Sequence, residues 1–173
     1  MNIQDHTILS KLDLKDYFKL MYDSFTNDWK VEAAQELLGK GRSNQGTEES
    51  KAINRYYVKP NDERFDEIYI NHDPSGAVDS VVWFIQKALQ VKLRIEDLQD
   101  LFGEFSIHNV IYDETTVLVF VPTTNPSVAS IRTSIPEWVE RRNDGTLYFR
   151  KKETECIVDE KYPISSLVLR RNE

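Results

Sequence analysis

The period of the apolar residues changes once along this chain, and that change constrains the fold more than any single motif. Up to about Phe102, apolar side chains recur at spacings of three and four; from Phe105 onward they alternate or cluster in short β-branched and aromatic runs bounded by turn residues. A helix buries a stripe of period 3.6 and a strand a face of period 2. The pattern predicts one α+β domain over residues 1–173: a helical N-terminal half packed on one face of an antiparallel sheet formed mainly by the C-terminal half. A sheet of about four to six strands would be of ordinary size.

Punctuation residues divide the two halves further. Asp13 can cap a helix carrying Leu14, Tyr17, Phe18, Met21, Tyr22 and Phe25 on one stripe. A short helix over 31–38 is closed by Gly39. The stretch from Gly39 to Gly46 holds three glycines among polar residues and reads as a loop. Thr47 can cap a further helix that buries Ile53, Tyr56 and Tyr57. Ile68, Tyr69 and Ile70 suggest a strand, and Asn71 to Gly76 a turn cluster. Residues 78–89 are apolar on nearly all sides and read as a central buried helix, with a strand through 81–85 as the alternative; Trp83 belongs to the core in either case. Ile95, Leu98, Leu101 and Phe102 form a last helix, stopped by Gly103.

Strands follow. Residues 107–112 and 116–121 flank a tight connection at Asp113, Glu114 and Thr115. Residues 138–142 and 146–151 flank Asn143-Asp144-Gly145, the clearest hairpin signal present. Residues 156–158 and 166–170 can add one or two more.

Charge bears on partners. The chain carries 22 basic and 29 acidic side chains, a net −7. The acidity is spread: residues 1–100 hold 13 basic and 18 acidic groups, the remainder 9 and 11. A duplex-binding domain displays a basic field instead, so nucleic acid is disfavoured as a partner. The single cysteine, Cys156, allows no internal disulfide and reads as a small buried hydrophobe. No run approaches the ~20 apolar residues of a membrane helix, and the first six residues lack a basic n-region and an apolar h-region. A cytoplasmic protein without a membrane partner is expected.

Catalytic signatures are sparse. Gly39-Lys40-Gly41-Arg42-Ser43 follows a helical pattern and lacks the spacing of a phosphate loop, although its two cations could touch a phosphate or an acidic partner. His6, His72 and His108 stand at no metal-ligand spacing, so no metal or cofactor is expected. His72, next to Asp73 in a turn, is of a residue type that can serve as an acid/base near neutral pH, and a turn residue that caps or faces water is the plainer reading. Neither a serine-nucleophile elbow nor a dinucleotide fingerprint is present.

The most concentrated positive patch comes from the late hairpin, where Arg141, Arg142, Arg150, Lys151 and Lys152 interleave with Trp138, Tyr148 and Phe149. Arginine with tryptophan and tyrosine is the composition of interface hot spots. Trp138, Arg141, Arg142, Tyr148 and Arg150 are therefore the candidate partner-binding residues. The leading expectation is a non-enzymatic, acidic, cytosolic protein that binds or inhibits another protein. Its profile (small, acidic, cysteine-poor, aromatic-rich) resembles that of bacterial immunity proteins as a class, with no residue motif behind the comparison. Two alternatives stand beside it. One is a small-molecule or nucleotide-handling enzyme whose site lies where His72-Asp73 and the Gly39 to Gly46 loop meet the sheet. The other is a homo-oligomeric module pairing exposed strands.

Overall fold

A computed structural model of the chain describes residues 6–25, 28–44, 54–110, 115–122, 129–135, 138–151, 154–157 and 162–172. In chain order the elements are α1 (His6–Leu9), α2 (Leu14–Ser24), α3 (Val31–Leu38), β1 (Gly41–Asn44), β2 (Asn54–Val58), β3 (Phe65–His72) and β4 (Val78–Ile85). A 3-10 turn (Lys87–Lys92) and α4 (Ile95–Phe102) follow. The remaining strands are β5 (Phe105–Val110), β6 (Thr115–Phe120), β7 (Ala129–Ile135), β8 (Trp138–Arg141), β9 (Leu147–Lys151), β10 (Thr154–Ile157) and β11 (Ser166–Arg171). The fold is mixed α+β. Eight strands form one sheet in the order β1-β2-β3-β4-β11-β7-β6-β5, every neighbouring pair antiparallel. Strands β10-β9-β8 make a separate three-stranded ribbon.

The sheet is larger than expected, and half of its strands come from residues 41–85, so the helical half and the sheet half are not separate. Residues 78–85 are strand β4, not a central helix. Val81, Trp83 and Ile85 are buried on one face, while Val82 and Phe84 are half-exposed on the other. Apolar residues on both faces imitate a helix buried all round, and the β-branched, aromatic run decides for the strand. Tyr56 and Tyr57 likewise lie on β2 rather than on a helix; Thr47 and Ile53, its proposed start, fall outside the described residues.

The glycine-rich loop also contains a strand, β1, paired with β2. Gly41 is required there because a Cβ would run into the Tyr57 carbonyl. Strand β7 was not expected at all. It alternates as Ala-Ser-Ile-Arg-Thr-Ser-Ile and pairs with both β6 and β11.

The helices start and stop for local reasons. Asp13 accepts a hydrogen bond from the Asp16 N–H at 2.8 Å and caps α2. Asp97 accepts from the Arg94 N–H at 2.9 Å at the start of α4. Tyr17 and Phe18 of α2 meet Trp83 and Phe65 of the sheet in edge-on and tilted ring pairs. One cluster of buried side chains joins α2, α3 and α4 to Ile68, Ile70, Val81, Trp83, Leu118, Phe120, Ile131, Leu167 and Leu169 of the sheet, and to Val139 of the ribbon.

Arg64 ties the N-terminal segment to this frame. Its guanidinium donates to the Leu9 carbonyl at 2.9 Å and to the Leu12 carbonyl, and pairs with Asp62 at 2.7 Å.

Candidate functional site

Antiparallel register gives the large sheet two unlike faces. Across β1 to β5, in sheet order, Ser43, Tyr56, Ile70, Val81, Leu169, Ile131, Phe120 and Phe105 are successive partners, and from Ile70 onward all are buried. The adjacent row points the other way. From β2 to β5 it reads Tyr57, Tyr69, Val82, Val168, Arg132, Val119 and Ser106. From Tyr57 to Val119 every member of it is half-buried, and Ser106 is exposed. None of its tyrosines or valines belongs to the core cluster.

Three rings on this second face touch one another. Tyr57 and Tyr69 are direct cross-strand partners with centroids 4.9 Å apart, and Phe84 lies 5.3 Å from Tyr69. The Arg55 guanidinium sits 5.2 Å from the Tyr69 centroid. Arg55 Nε donates to Asn71 Oδ1 at 3.0 Å, and Asn71 Nδ2 donates to Ser80 Oγ at 2.9 Å. Register continues this polar row through Arg170 to Ser130. The Tyr69 hydroxyl donates to Glu67 at 2.5 Å, and that bond to a carboxylate raises the phenol above its ordinary pKa. Half-exposed aromatic rings bordered by arginines and a fixed polar row can bind a partner with both apolar and charged groups.

The late hairpin forms, with β8 paired to β9 inside the three-stranded ribbon, and of its five candidates the side chains of Arg141 and Arg142 are described. Trp138 opposes Arg150, and Glu140 opposes Tyr148. Alternation puts positions 138, 140, 148 and 150 on one face of the ribbon and 139 and 141 on the other. Arg141 lies over the Phe105 ring, 5.3 Å from its centroid, and donates to the Gly145 carbonyl at 3.2 Å. Arg142 is exposed at the turn. Gly145 supplies the positive φ of +85° that closes that turn.

The hairpin base is anchored. Val139 N–H donates to Thr116 Oγ1 (2.9 Å), Thr116 Oγ1 donates to Asn109 Oδ1 (2.6 Å), and Asn109 Nδ2 donates to the Val139 carbonyl (3.2 Å). The side chains of Trp138, Tyr148, Arg150 and Cys156 lie outside the described residues, although their backbones are strand.

His72 and the glycine-rich segment do not converge. His72 pairs with Asn54 at one end of β2, whereas Gly41 pairs with Val58 at the other. The His72 ring is engaged with the Asp73 carbonyl at 2.9 Å. Asp73 accepts from Ser75 Oγ, Ser75 N–H and Ala77 N–H at 2.6, 2.8 and 3.0 Å. The Ser75 hydroxyl first, and the two amides with it, hold the Asp73 carboxyl below its usual pKa. Both residues are thus used in building the β3–β4 turn. Among the described residues no three His, Cys, Asp or Glu side chains form a metal-binding group. No described helix is long and apolar enough to cross a membrane.

The aromatic face does not show in the sequence, because the apolar spacing around Tyr57 and Phe84 reads as helix while both lie on strands. The signal was present in the half-apolar alternation of residues 65–72 and 78–85, but only the register joins those residues.

No protein-family model matches this chain, and no curated protein matches its sequence. Among solved structures it is similar to the crystal structure of a DUF4309 family protein (YjgB) from Bacillus subtilis subsp. subtilis str. 168. The two share 10% sequence identity with a TM-score of 0.48, over 99% of this chain and 100% of that one.

Proposed function

We propose that this is a non-enzymatic binding protein that engages, and in doing so inhibits, another protein through the second face of its large sheet. The observation that carries the proposal is the half-exposed cluster Tyr57–Tyr69–Phe84 with Arg55 over it. Rings that serve only folding are placed in the core, as Tyr17, Phe18 and Trp83 are here. These three contact one another while keeping part of their surface available, and tyrosine and arginine dominate the energetics of protein contacts.

A tagged pull-down at two salt concentrations tests this. The wild type should capture one stoichiometric protein. Tyr57→Ser with Phe84→Ser should lose it with an unchanged circular-dichroism spectrum, while Lys19→Ala, on an exposed part of α2, should keep it. Retention of the same partner by the Tyr57/Phe84 variant would overturn the assignment to this face.

The late hairpin is a second contact surface under the same proposal, because its base is anchored while Arg142 is exposed at its tip. Trp138→Ala with Arg142→Ala should weaken partner binding and leave the thermal midpoint nearly unchanged. A fall in the midpoint instead would assign these residues to the core.

A further inference from the structure

We infer that a second copy of this chain adds its β5 strand, antiparallel, to β5 at the edge of the large sheet, joining the two sheets across a two-fold axis. Strand β5 lies at the other end of the sheet from Tyr57, Tyr69 and Phe84, so the inference stands apart from the binding proposal above.

The edge itself carries it. Strand β5 ends the sheet order and pairs on one side with β6, from Phe105 opposite Phe120 to Val110 opposite Thr115, without a register shift. On its other side, among the described residues, nothing hydrogen-bonds to the main chain of residues 105–110. The ribbon does not take that side. It is fixed from the core face, where the side chains of Asn109 and Thr116 bond the Val139 main chain. Unpaired N–H and C=O groups along a strand are a template for another strand, and folded proteins guard such edges with short strands, charged side chains, proline or bulges. The far edge is guarded: β1 is four residues long and includes Arg42. Strand β5 is not. It reads Phe-Ser-Ile-His-Asn-Val, with no lysine, arginine, carboxylate or proline.

Any strand can use those backbone groups; the side chains favour the same chain. On the core face, Thr116, Leu118 and Phe120 of β6 are fully buried, yet Ile107, opposite Leu118, is half-buried although it packs against the core cluster. The apolar row runs out at the edge with its last member incompletely covered. A two-fold axis perpendicular to the sheet keeps both core faces on one side, and opposing residues of an antiparallel pair share a face. Centred on Ile107, it sets that side chain against its own equivalent and Ser106 against His108 of the other copy. The first pair continues the buried row. The second brings together a hydroxyl and an imidazole, groups already in contact within the strand, where Ser106 Oγ lies 2.9 Å from His108 Nε2. Neither pair contains a lysine, arginine or carboxylate, so the net −7 of each copy puts no like charges opposite each other at the seam. One strand from each copy is a small contact beside the ~800 Å² per partner of a standard interface, so the dimer is weak and reversible.

Sedimentation velocity on the full chain from about 1 to about 200 μM spans the range in which such a contact forms. A dimer should appear as concentration rises, and amide exchange at residues 105–110 should slow with it. Ser106→Lys with His108→Lys should weaken association about tenfold by placing like charges opposite each other. Ser106→Glu with His108→Glu should do the same, and an equal mixture of the two variants should associate again. Both positions are exposed, and an unchanged circular-dichroism spectrum confirms the fold. If either variant does not fold, the concentration dependence of exchange at 105–110 in the wild type decides.

A chain that stays monomeric over this range would overturn the inference. So would a dimer that persists in the lysine variant, or one lost in Tyr57→Ser with Phe84→Ser. Protection of residues 105–110 only in the presence of a different protein would give the edge to that protein and overturn the second copy.

Discussion

The indole N–H of Trp83 donates to the hydroxyl of Tyr17 at 3.1 Å, joining strand β4 to helix α2 across 66 residues of chain. Both side chains are fully buried. Removing the acceptor leaves a buried donor without its bond, a cost of ~1–3 kcal/mol. Tyr17→Phe should lower the unfolding free energy by that amount, read as a lower urea midpoint at an unchanged slope. Adding Trp83→Phe to Tyr17→Phe should cost less than Trp83→Phe costs alone, because the orphaned donor has gone. Strict additivity in that double-mutant cycle would show that the bond contributes nothing.

The same hydroxyl sets an alkaline limit. Burial first, opposed by the bond from Trp83, holds the Tyr17 phenol well above its usual pKa of 10.0. The unfolded chain ionises from about pH 10 upward while the folded one keeps its proton. Stability from this group is therefore full below pH 10 and drains as pH rises above it. Denaturation between pH 9 and 11 should show a decline that is shallower in Tyr17→Phe.

Asp73 and Asp144 set the acid side with the opposite sign. Ser75 Oγ holds the first below its usual pKa, and the Thr146 N–H holds the second. Their contribution is present above about pH 4, the unfolded value, and is lost as pH falls through the lower folded value. Asp73→Asn with Asp144→Asn should flatten the acid limb of the stability profile between pH 2 and 5. An unchanged limb would show that other carboxylates govern acid unfolding.

Arg64 holds α1 by its Leu9 and Leu12 carbonyls and neutralises Asp62, all partly buried. Arg64→Ala should cost roughly 1–3 kcal/mol, since it takes the guanidinium from Asp62 and from the Leu12 carbonyl, while the Arg64 N–H still donates to Asp62 and the Leu12 N–H to the Leu9 carbonyl. Arg64→Lys should not restore the loss, because an ammonium cannot span the fork. Hydrogen exchange at residues 6–12 should rise selectively in both variants.

Local signals made part of this architecture legible. Asp13, Gly39 and Gly103 bound α2, α3 and α4, and Asn143-Asp144-Gly145 marks the β8–β9 turn. These depend on chemistry within a few residues. Strand β4 was hidden because it is apolar on both faces, so period alone does not separate it from a buried helix. Strand β1, with the composition Gly-Arg-Ser-Asn, has no strand signal of its own; its place is set by how closely Gly41 approaches Tyr57. The aromatic face needed both corrections at once, since Tyr57, Tyr69 and Phe84 meet only when β2, β3 and β4 are aligned.

The attachment of the hairpin to the sheet rests on Thr116, which accepts from Val139 N–H and donates to Asn109 Oδ1 with no surface of its own exposed. Thr116→Val preserves shape and removes both bonds, leaving the Val139 amide without its acceptor. The expected loss is ~1–3 kcal/mol. Thr116→Ser keeps the hydroxyl and should recover most of it, apart from the buried methyl. Exchange at the β8 and β9 amides should quicken in the valine variant and stay near wild type in the serine variant. If both variants exchange alike, the packing of Val139 rather than this bonded ring holds the ribbon in place.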